Sequence, residues 1–245
     1  MNKLEEYVLR YQRLHDGKDS YIASETNKTI SPAKLEKDRG KVIFDGSQLG
    51  KKLPRFIQDV IDNKSRAITL LDYGCGKAIH NYTNLKEHGN KTLIARFNGM
   101  IQCYYCYDPA VKIYSVKPPQ GMVFDLVCCA DVMEHVPEDS VDYVLEELAA
   151  YTKEDGTALL TISGNLAGKC FNNGENLHAT VKPLEWWVDK LKNAFSNKSF
   201  IVIYNDTNNN EDPLKLVYKN SSATSWVYKY AEVKIKDRLC EVQEV

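Results

Sequence analysis

Four side chains that could move protons or bind a cation lie in two short stretches of the sequence. Asp131, Glu134 and His135 follow an apolar run at 124–129, and His178 lies in a later loop. Imidazole titrates near neutral pH, so His135 and His178 are candidate general bases. Two carboxylates with two imidazoles also suit Mg²⁺, Mn²⁺ or Zn²⁺. We favour the metal-free interpretation and keep the cation as the alternative.

A glycine turn is the second candidate site. It comprises Asp72, Tyr73, Gly74, Cys75 and Gly76. The apolar run before it predicts a buried parallel strand, and the small residues predict a turn into a helix. Glycine has no Cβ, so a ligand can approach the main chain, and helix N–H groups favour polar or anionic ligand groups. Ile79 replaces the third glycine of G-x-G-x-x-G, so the stretch is a weak dinucleotide fingerprint.

An acidic residue follows the next predicted strand, at 101–107. Asp108 is followed by Pro109. A carboxylate at the carboxyl end of a second strand can accept both ribose hydroxyls of an adenosine cofactor. The structural alternative is an Asp-Pro turn. Because the glycine turn lies one strand earlier, we favour the ribose role for Asp108.

These stretches together resemble the class I S-adenosylmethionine-dependent methyltransferases. The D-x-G-x-G at 72–76 is similar to motif I of that family, and the acidic residue 108 follows one strand later. The stretch 124–127, a hydrophobic-Asp-x-hydrophobic pattern, leads to Glu-His at 134–135, as in the family's fourth-strand motif. The resemblance covers roughly residues 68–195, with the motifs in the expected order.

The resemblance implies an α/β fold and a cofactor. The expected architecture is a Rossmann-like, doubly wound, mostly parallel sheet of seven strands, with the last strand antiparallel. S-adenosylmethionine, with S-adenosylhomocysteine as product, is expected at the carboxyl edge. The residues that the resemblance assigns to the cofactor are Asp72, Tyr73, Gly74, Cys75, Gly76, Asp108, Pro109 and Asp131.

The same resemblance gives the metal alternative a definite form. In some members, such as ubiquinone-type O-methyltransferases and small-RNA 3′-end methyltransferases, a Glu-x-x-Glu-His stretch holds a divalent cation. Here Asp131 replaces the first Glu, and His178 is available after the fifth strand. The ligands would then be Asp131, Glu134, His135 and His178. Many metal-free members carry a similar Glu-His pair, and there His135 or His178 would act as the base.

Apolar spacing and turn residues give the remaining elements. Helices are predicted at 2–15, 54–62, 80–88, 137–150 and 182–195, with a short helix starting at Pro32. Further strands are predicted at 157–163, 200–204, 214–218 and 226–235, and a strand or loop at 89–100. Of the adjacent Trp186 and Trp187, one is expected in the core and one near the site. Tyr11, Tyr21 and the 46–50 loop are possible substrate contacts.

The link at 109–123 is too short for the family's usual third strand and helix. We therefore expect an abbreviated or lost third strand. The domain organisation predicted is a helical N-terminal extension or cap over 1–66, followed by the cofactor-binding domain over 67–245.

The amino-acid composition indicates which classes of binding partner are favoured. Net charge is −1 and 43% of the residues are hydrophobic, which is ordinary for a globular protein and does not indicate a polyanion-binding surface. Nucleic acid is therefore a less favoured partner. The 7 cysteines have no regular spacing, which fits reduced thiols and a cytoplasmic location. No apolar run approaches the ~20 residues of a membrane span.

The predicted function is methyl transfer from S-adenosylmethionine, with an oxygen of a small molecule as the favoured acceptor. No Asn-Pro-Pro-Tyr tetrad follows the fourth strand, which makes amide or nucleobase nitrogen less favoured. Two alternatives remain open. One is an RNA ribose 2′-O-methyltransferase with a divalent cation, and the other is a non-catalytic nucleoside-binding scaffold.

Overall fold

The computed structural model describes residues 2–19, 21–23, 46, 49, 53–81, 84, 91–206, 214–221 and 224–230. The helices are α1 Lys3–His15, α2 Pro54–Lys64, α3 Leu93–Arg96, α4 Val141–Tyr151 and α5 Leu184–Ala194. The strands are β1 Tyr21–Ala23, β2 Ile68–Tyr73, β3 Ile101–Tyr107, β4 Phe124–Ala130, β5 Thr152–Ser163, β6 Lys169–Phe171, β7 Ser199–Asp206, β8 Leu214–Ser221 and β9 Thr224–Tyr230.

The main sheet has the strand order β3-β2-β4-β5-β7-β8-β9. The first five strands in this order are parallel to one another, which confirms an α/β fold with a mostly parallel sheet. β8 pairs antiparallel with β7, and β9 pairs antiparallel with β8. The strand that opposes the parallel ones is therefore β8, and the last strand, β9, runs in their direction.

The sheet is buried on both faces. Every residue of β4 except its last is buried, as expected for a central parallel strand. One core cluster packs β4 and β5 against α4 and α5, and it includes the fully buried Trp187. The other core cluster packs the opposite face against α2 and Phe97. The two layers fix the carboxyl ends of β2, β3, β4 and β5 at one edge.

Residues 109–123, all described, contain the 3₁₀ turn Lys112–Tyr114 and no strand, so β3 forms the edge of the sheet. The expected loss of the third strand is therefore confirmed.

Two other predicted segments differ in the structure. The strand or loop predicted for 89–100 is wrong at α3, where the Thr92 hydroxyl accepts from the Ala95 N–H at 3.1 Å and caps a helical turn. The predicted helix 80–88 begins as the 3₁₀ turn Ile79–Asn81. Most of its remainder, and the helix predicted from Pro32, lie outside the described residues.

Helix α1 is attached to the segment that follows β5. An Asn2–Glu5 capping box starts α1, and its buried face packs Tyr7 and Leu14 against Phe171 and Leu177. Strands β1 and β6 pair antiparallel, joining the same two parts of the chain. Both strands were missed in the sequence because each has only three residues in a polar, loop-like stretch.

Within the part of the chain that the structure describes, no helix is both long enough and apolar enough to cross a membrane.

Candidate functional site

A cleft of about 1440 Å³ lies at the carboxyl edge of the parallel strands. The residues that end four strands line it, namely Tyr73 of β2, Tyr107 of β3, Ala130 of β4 and Ser163 of β5. β2 lies between β3 and β4, so the connection from β2 to β3 runs to one side of the sheet and the connection from β3 to β4 returns to the other side of β2. Such a switch point is where open α/β sheets bind ligands. Helix α1 forms the wall opposite the sheet.

The glycine turn closes one end of the cleft. Gly74 has φ +75° and Gly76 has φ +55°, which are left-handed conformations that glycine adopts without strain. A Cβ at Gly74 would also lie 2.3 Å from the Val132 side chain. The N–H groups of Gly74 and Cys75 donate to the Tyr107 carbonyl at 2.7 and 3.1 Å. The turn is thereby fixed to the end of β3, with Gly74 and Gly76 facing the cleft.

Asp108 connects the glycine turn to the link after β3. Its carboxylate accepts from the Gly76 N–H and from the Ala110 N–H, each at 2.8 Å. Burial raises the pKa of Asp108, and these two backbone hydrogen bonds oppose the rise. Each carboxylate oxygen has a second lone pair, so Asp108 can still accept from ligand hydroxyls. Asp108 and Pro109 both line the cleft.

Two of the predicted cofactor residues support the turn from behind. The Asp72 carboxylate is buried, accepts from the Tyr104 hydroxyl at 2.9 Å and lies 3.3 Å from His80 Nε2. His80 Nδ1–H donates to the Gly46 carbonyl at 2.6 Å. The Cys75 thiol is buried too, and burial raises its pKa. Neither Asp72 nor Cys75 is among the residues that line the cleft.

The two other members of the predicted set contact the cleft. Tyr73 lines it and donates through its hydroxyl to Glu147 at 2.8 Å. Asp131 follows β4 in a left-handed conformation with φ +54°. Its N–H donates to the Thr161 carbonyl at 3.0 Å, and the Thr161 hydroxyl donates to Asp131 Oδ1 at 2.5 Å. β5 therefore holds Asp131 in a strained turn that presents Val132 to Gly74.

His135 and His178 meet at the other end of the cleft. Their ring centroids are 4.8 Å apart and the rings are nearly perpendicular. His135 Nδ1 lies 3.0 Å from the Leu177 carbonyl, and His178 Nδ1 lies 2.5 Å from the Asn165 carbonyl. A carbonyl can only accept, so both Nδ1 atoms carry the proton and both Nε2 atoms carry the lone pair.

Burial sets the charge of this pair. Burial, together with the neighbouring His178, lowers the pKa of His135 to about 4. Burial also lowers the pKa of His178. Both rings are therefore neutral at pH 7, and each can accept a proton or bind a cation through Nε2.

A buried carboxylate joins the two imidazoles. Glu134 is 1% exposed and accepts from the Ser163 N–H at 3.2 Å. Glu134, His135 and His178 each offer one ligand atom, and these atoms lie within 4.8 Å of one another. Asp131, the fourth residue of the predicted metal set, is not part of this group. Three electron-pair donors thus converge at one point, which suits a proton donor or a cation.

Several contributors to the site were not predicted as such. Thr161, Ser163 and Asn165 orient the acidic and imidazole side chains through contacts far along the chain, and a single sequence contains no signal for them. Tyr11, predicted as a substrate contact, contacts His135. Trp187 is buried as expected, whereas Trp186 packs against Lys182 and Lys190 and is not among the cleft-lining residues.

The fold is α/β, and its cleft lies at a strand switch point, where open α/β sheets bind ligands. Residues 46–201 match the family model described as a methyltransferase domain. The chain therefore belongs to this family and is a class I S-adenosylmethionine-dependent methyltransferase. The family implies S-adenosylmethionine as methyl donor.

Two solved structures are similar to this chain. An O-methyltransferase family protein from Burkholderia thailandensis is 13% identical with a TM-score of 0.39, over 89% of this chain and 66% of that one. The PH0226 protein from Pyrococcus horikoshii OT3 is 10% identical with a TM-score of 0.30, over 78% of this chain and 81% of that one. The match thus spans less than two thirds of the Burkholderia protein. Among curated proteins, none matches the chain.

Proposed function

We propose that this enzyme transfers the methyl group to an oxygen of a small molecule. One observation carries the proposal: His135 and His178 line the cleft, and each imidazole has its proton on Nδ1 and its lone pair on Nε2. An oxygen acceptor must lose its proton to complete the transfer, and an amine that attacks as the free base needs no such base during attack. The neutral state of both imidazoles supports that role.

The residues of the cleft fit S-adenosylmethionine. Asp108 can accept the ribose hydroxyls, the glycine turn can receive the amino-acid part along its main chain, and Asp131 adds a carboxylate to the wall. A wall with several carboxylates suits a cofactor that carries a positive sulfonium. Pro109 and Val132 also line the cleft and would contact the adenine. When bound, the cofactor supplies an electrophilic methyl group.

The chain's own residues then have two tasks. The sheet edge and α1 align the acceptor hydroxyl for in-line displacement, so a large part of the catalysis is positioning. His178 Nε2 takes the hydroxyl proton, and the Asn165 carbonyl keeps Nδ1–H in place and stabilises the imidazolium that forms.

A methyl-transfer assay tests this function. We expect radiolabelled S-adenosylmethionine to label hydroxylated small molecules, selected from ligands that copurify and are identified by mass spectrometry. We expect no labelling of structured RNA at moderate salt, where phosphate contacts weaken. Methylated nitrogen in the product would contradict the oxygen acceptor. Tight binding of S-adenosylhomocysteine without turnover of any acceptor would favour the scaffold alternative.

The convergence of Glu134, His135 and His178 favours a second candidate, a cation-assisted version of the reaction. Metal-binding histidines donate their other N–H to a carbonyl or carboxylate, and both imidazoles here do so. A bound divalent cation would lower the pKa of a coordinated hydroxyl. The RNA ribose 2′-O-methyltransferase alternative depends on the same three residues.

Titration calorimetry with Mn²⁺ tests the cation. If the three residues form a metal site, Glu134→Gln should weaken Mn²⁺ binding by about 10–100-fold, because the charged ligand is lost. Asp131→Asn is the matched control, since Asp131 lies on the same loop outside the group, and its Mn²⁺ affinity should not change. No Mn²⁺ binding by the unmodified protein, together with activity that resists chelator, would exclude the cation.

We also propose that the finer architecture is a class I sheet in which the third strand is lost and the additional strand β9 keeps the number of strands at seven. The division into a cap over 1–66 and a catalytic domain over 67–245 is part of the same proposal, as is a cytoplasmic location. The packing of α1 against Phe171 and Leu177, outside the main core clusters, supports a cap in the first part of this range, whereas α2 packs in a main core cluster.

A further inference from the structure

Helix α1 brings one polar side chain from outside the sheet to the imidazole pair. The Tyr11 hydroxyl lies 2.7 Å from His135 Nδ1 and donates to the Leu177 carbonyl at 2.6 Å. The Tyr11 ring also meets the His135 ring edge-on, with centroids 5.4 Å apart, and the Phe171 ring at 5.3 Å. Packing and hydrogen bonding thus fix this hydroxyl from several sides.

The positions of the protons follow from these distances. An oxygen–oxygen distance of 2.6 Å requires a hydrogen between the atoms, and only the Tyr11 hydroxyl can supply it to the Leu177 carbonyl. The Tyr11 oxygen therefore presents a lone pair to His135 Nδ1. Two lone pairs 2.7 Å apart would repel, so Nδ1 must carry a proton. Burial raises the pKa of Tyr11 well above its usual value, so the hydroxyl stays protonated.

We propose that Tyr11 is a positioning residue that, together with the Leu177 carbonyl, holds His135 in the Nδ1–H tautomer. The lone pair of His135 is thereby kept on Nε2, where it can serve the acid–base or cation chemistry shared with Glu134 and His178. The catalytic consequence rests on the proposed function, whereas the tautomer does not. The N-terminal helix is then part of the active site and not only a packing cap.

The attachment of α1 supports this role. One turn away from Tyr11, the Tyr7 hydroxyl donates to Glu175, and Arg10 pairs with the same carboxylate at 2.7 Å. The Arg10 guanidinium also lies 3.7 Å from the centroid of the Phe171 ring. These contacts hold α1 on the segment 169–177, so removal of the Tyr11 hydroxyl should leave the helix in place.

Nitrogen NMR of the histidine side chains tests the proposal on ¹⁵N-labelled protein. We expect the unmodified protein to show His135, assigned by its loss in His135→Gln, with a protonated Nδ1 and an unprotonated Nε2. Tyr11→Phe keeps the ring but removes the hydroxyl at 2.7 Å, so that of these two partners only the Leu177 carbonyl at 3.0 Å still holds Nδ1–H, and its His135 signals should move part of the way toward the Nε2–H tautomer. Its kcat should fall about tenfold, the rate equivalent of one hydrogen bond, with cofactor affinity unchanged.

Tyr7→Phe is the matched control, because it removes the same atom from the same helix without contact to His135. Its His135 signals should match those of the unmodified protein, and thermal unfolding should show that both variants are folded. An Nε2–H tautomer in the unmodified protein, or an unchanged tautomer in Tyr11→Phe, would overturn the proposal. If the tautomer shifts in Tyr11→Phe but the enzyme methylates no oxygen, the role of Tyr11 is supported and the proposed function is refuted.

Discussion

Replacing Asp108 with alanine is expected to weaken S-adenosylhomocysteine binding by more than tenfold, about 1.4 kcal/mol or more. The reason is twofold. The variant loses the carboxylate proposed to accept the ribose hydroxyls, and charge-assisted hydrogen bonds of this kind are the strong ones. It also leaves the N–H groups of Gly76 and Ala110 without their acceptor, so the glycine turn loses a fixed position.

Calorimetry on the folded variants measures this effect. Asp108→Asn separates the two causes, because its amide keeps one acceptor oxygen but places an NH₂ group against the other backbone N–H. Asp142→Ala is the control, since Asp142 pairs with Lys190 on the surface and should bind the ligand with unchanged affinity. An unchanged affinity in Asp108→Ala would exclude Asp108 from the cofactor site.

The sequence was sufficient to predict the parallel strands and the candidate residues at their ends. β2, β3 and β4 are short apolar runs that end at glycine, Asp-Pro or an acidic loop. In each case the apolar run and the residue that ends it lie within a few residues of each other, so a local pattern predicts them. Because parallel strands end at one edge, the candidates after them were expected together. The structure places Gly74, Asp108 and Asp131 around one cleft.

The direction of each side chain in the glycine turn follows from the alternation of side chains along β2. Leu71 and Tyr73 of β2 pack in the cluster with α4 and α5, whereas Ile68 and Leu70 pack in the opposite one. With a period of two, Asp72 belongs to the face opposite to Tyr73, which explains its contact with Tyr104 and not with the cleft. The motif D-x-G-x-G names these residues but does not state which way each side chain points.

The contacts of the imidazole pair could not be predicted from the sequence. Tyr11 and His135 are 124 residues apart, and His178 and Asn165 meet through a loop with no periodic pattern. The amphipathic spacing of α1 predicts a buried face but not its partner. The tautomers depend on backbone carbonyls, whose positions are a property of the folded chain alone.

Replacing His178 with alanine is expected to lower kcat by about 10²–10⁴-fold, the usual contribution of a general base, with cofactor affinity unchanged. The base works only when Nε2 is unprotonated, so activity is lost as the pH falls through the pKa of His178. Burial lowers that pKa, so the acid limb of the pH–rate profile should lie below the ordinary imidazole value of about 6.5. The pH–rate profile of His178→Ala should lack this acid limb. His135→Gln is the comparison, and a larger loss there would assign the base to His135.

The same variant separates the two versions of the reaction. Without a cation, His178→Ala changes turnover and the acid limb, and added Mn²⁺ or chelator has no effect on either protein. With a cation held by Glu134, His135 and His178, the variant loses Mn²⁺ affinity as well, because one of three converging ligands is gone. Activity that is lost with chelator and restored by excess Mn²⁺ would then mark His178 as a ligand. An unchanged kcat in His178→Ala would exclude both roles, since the acid–base and the cation mechanism each require its Nε2.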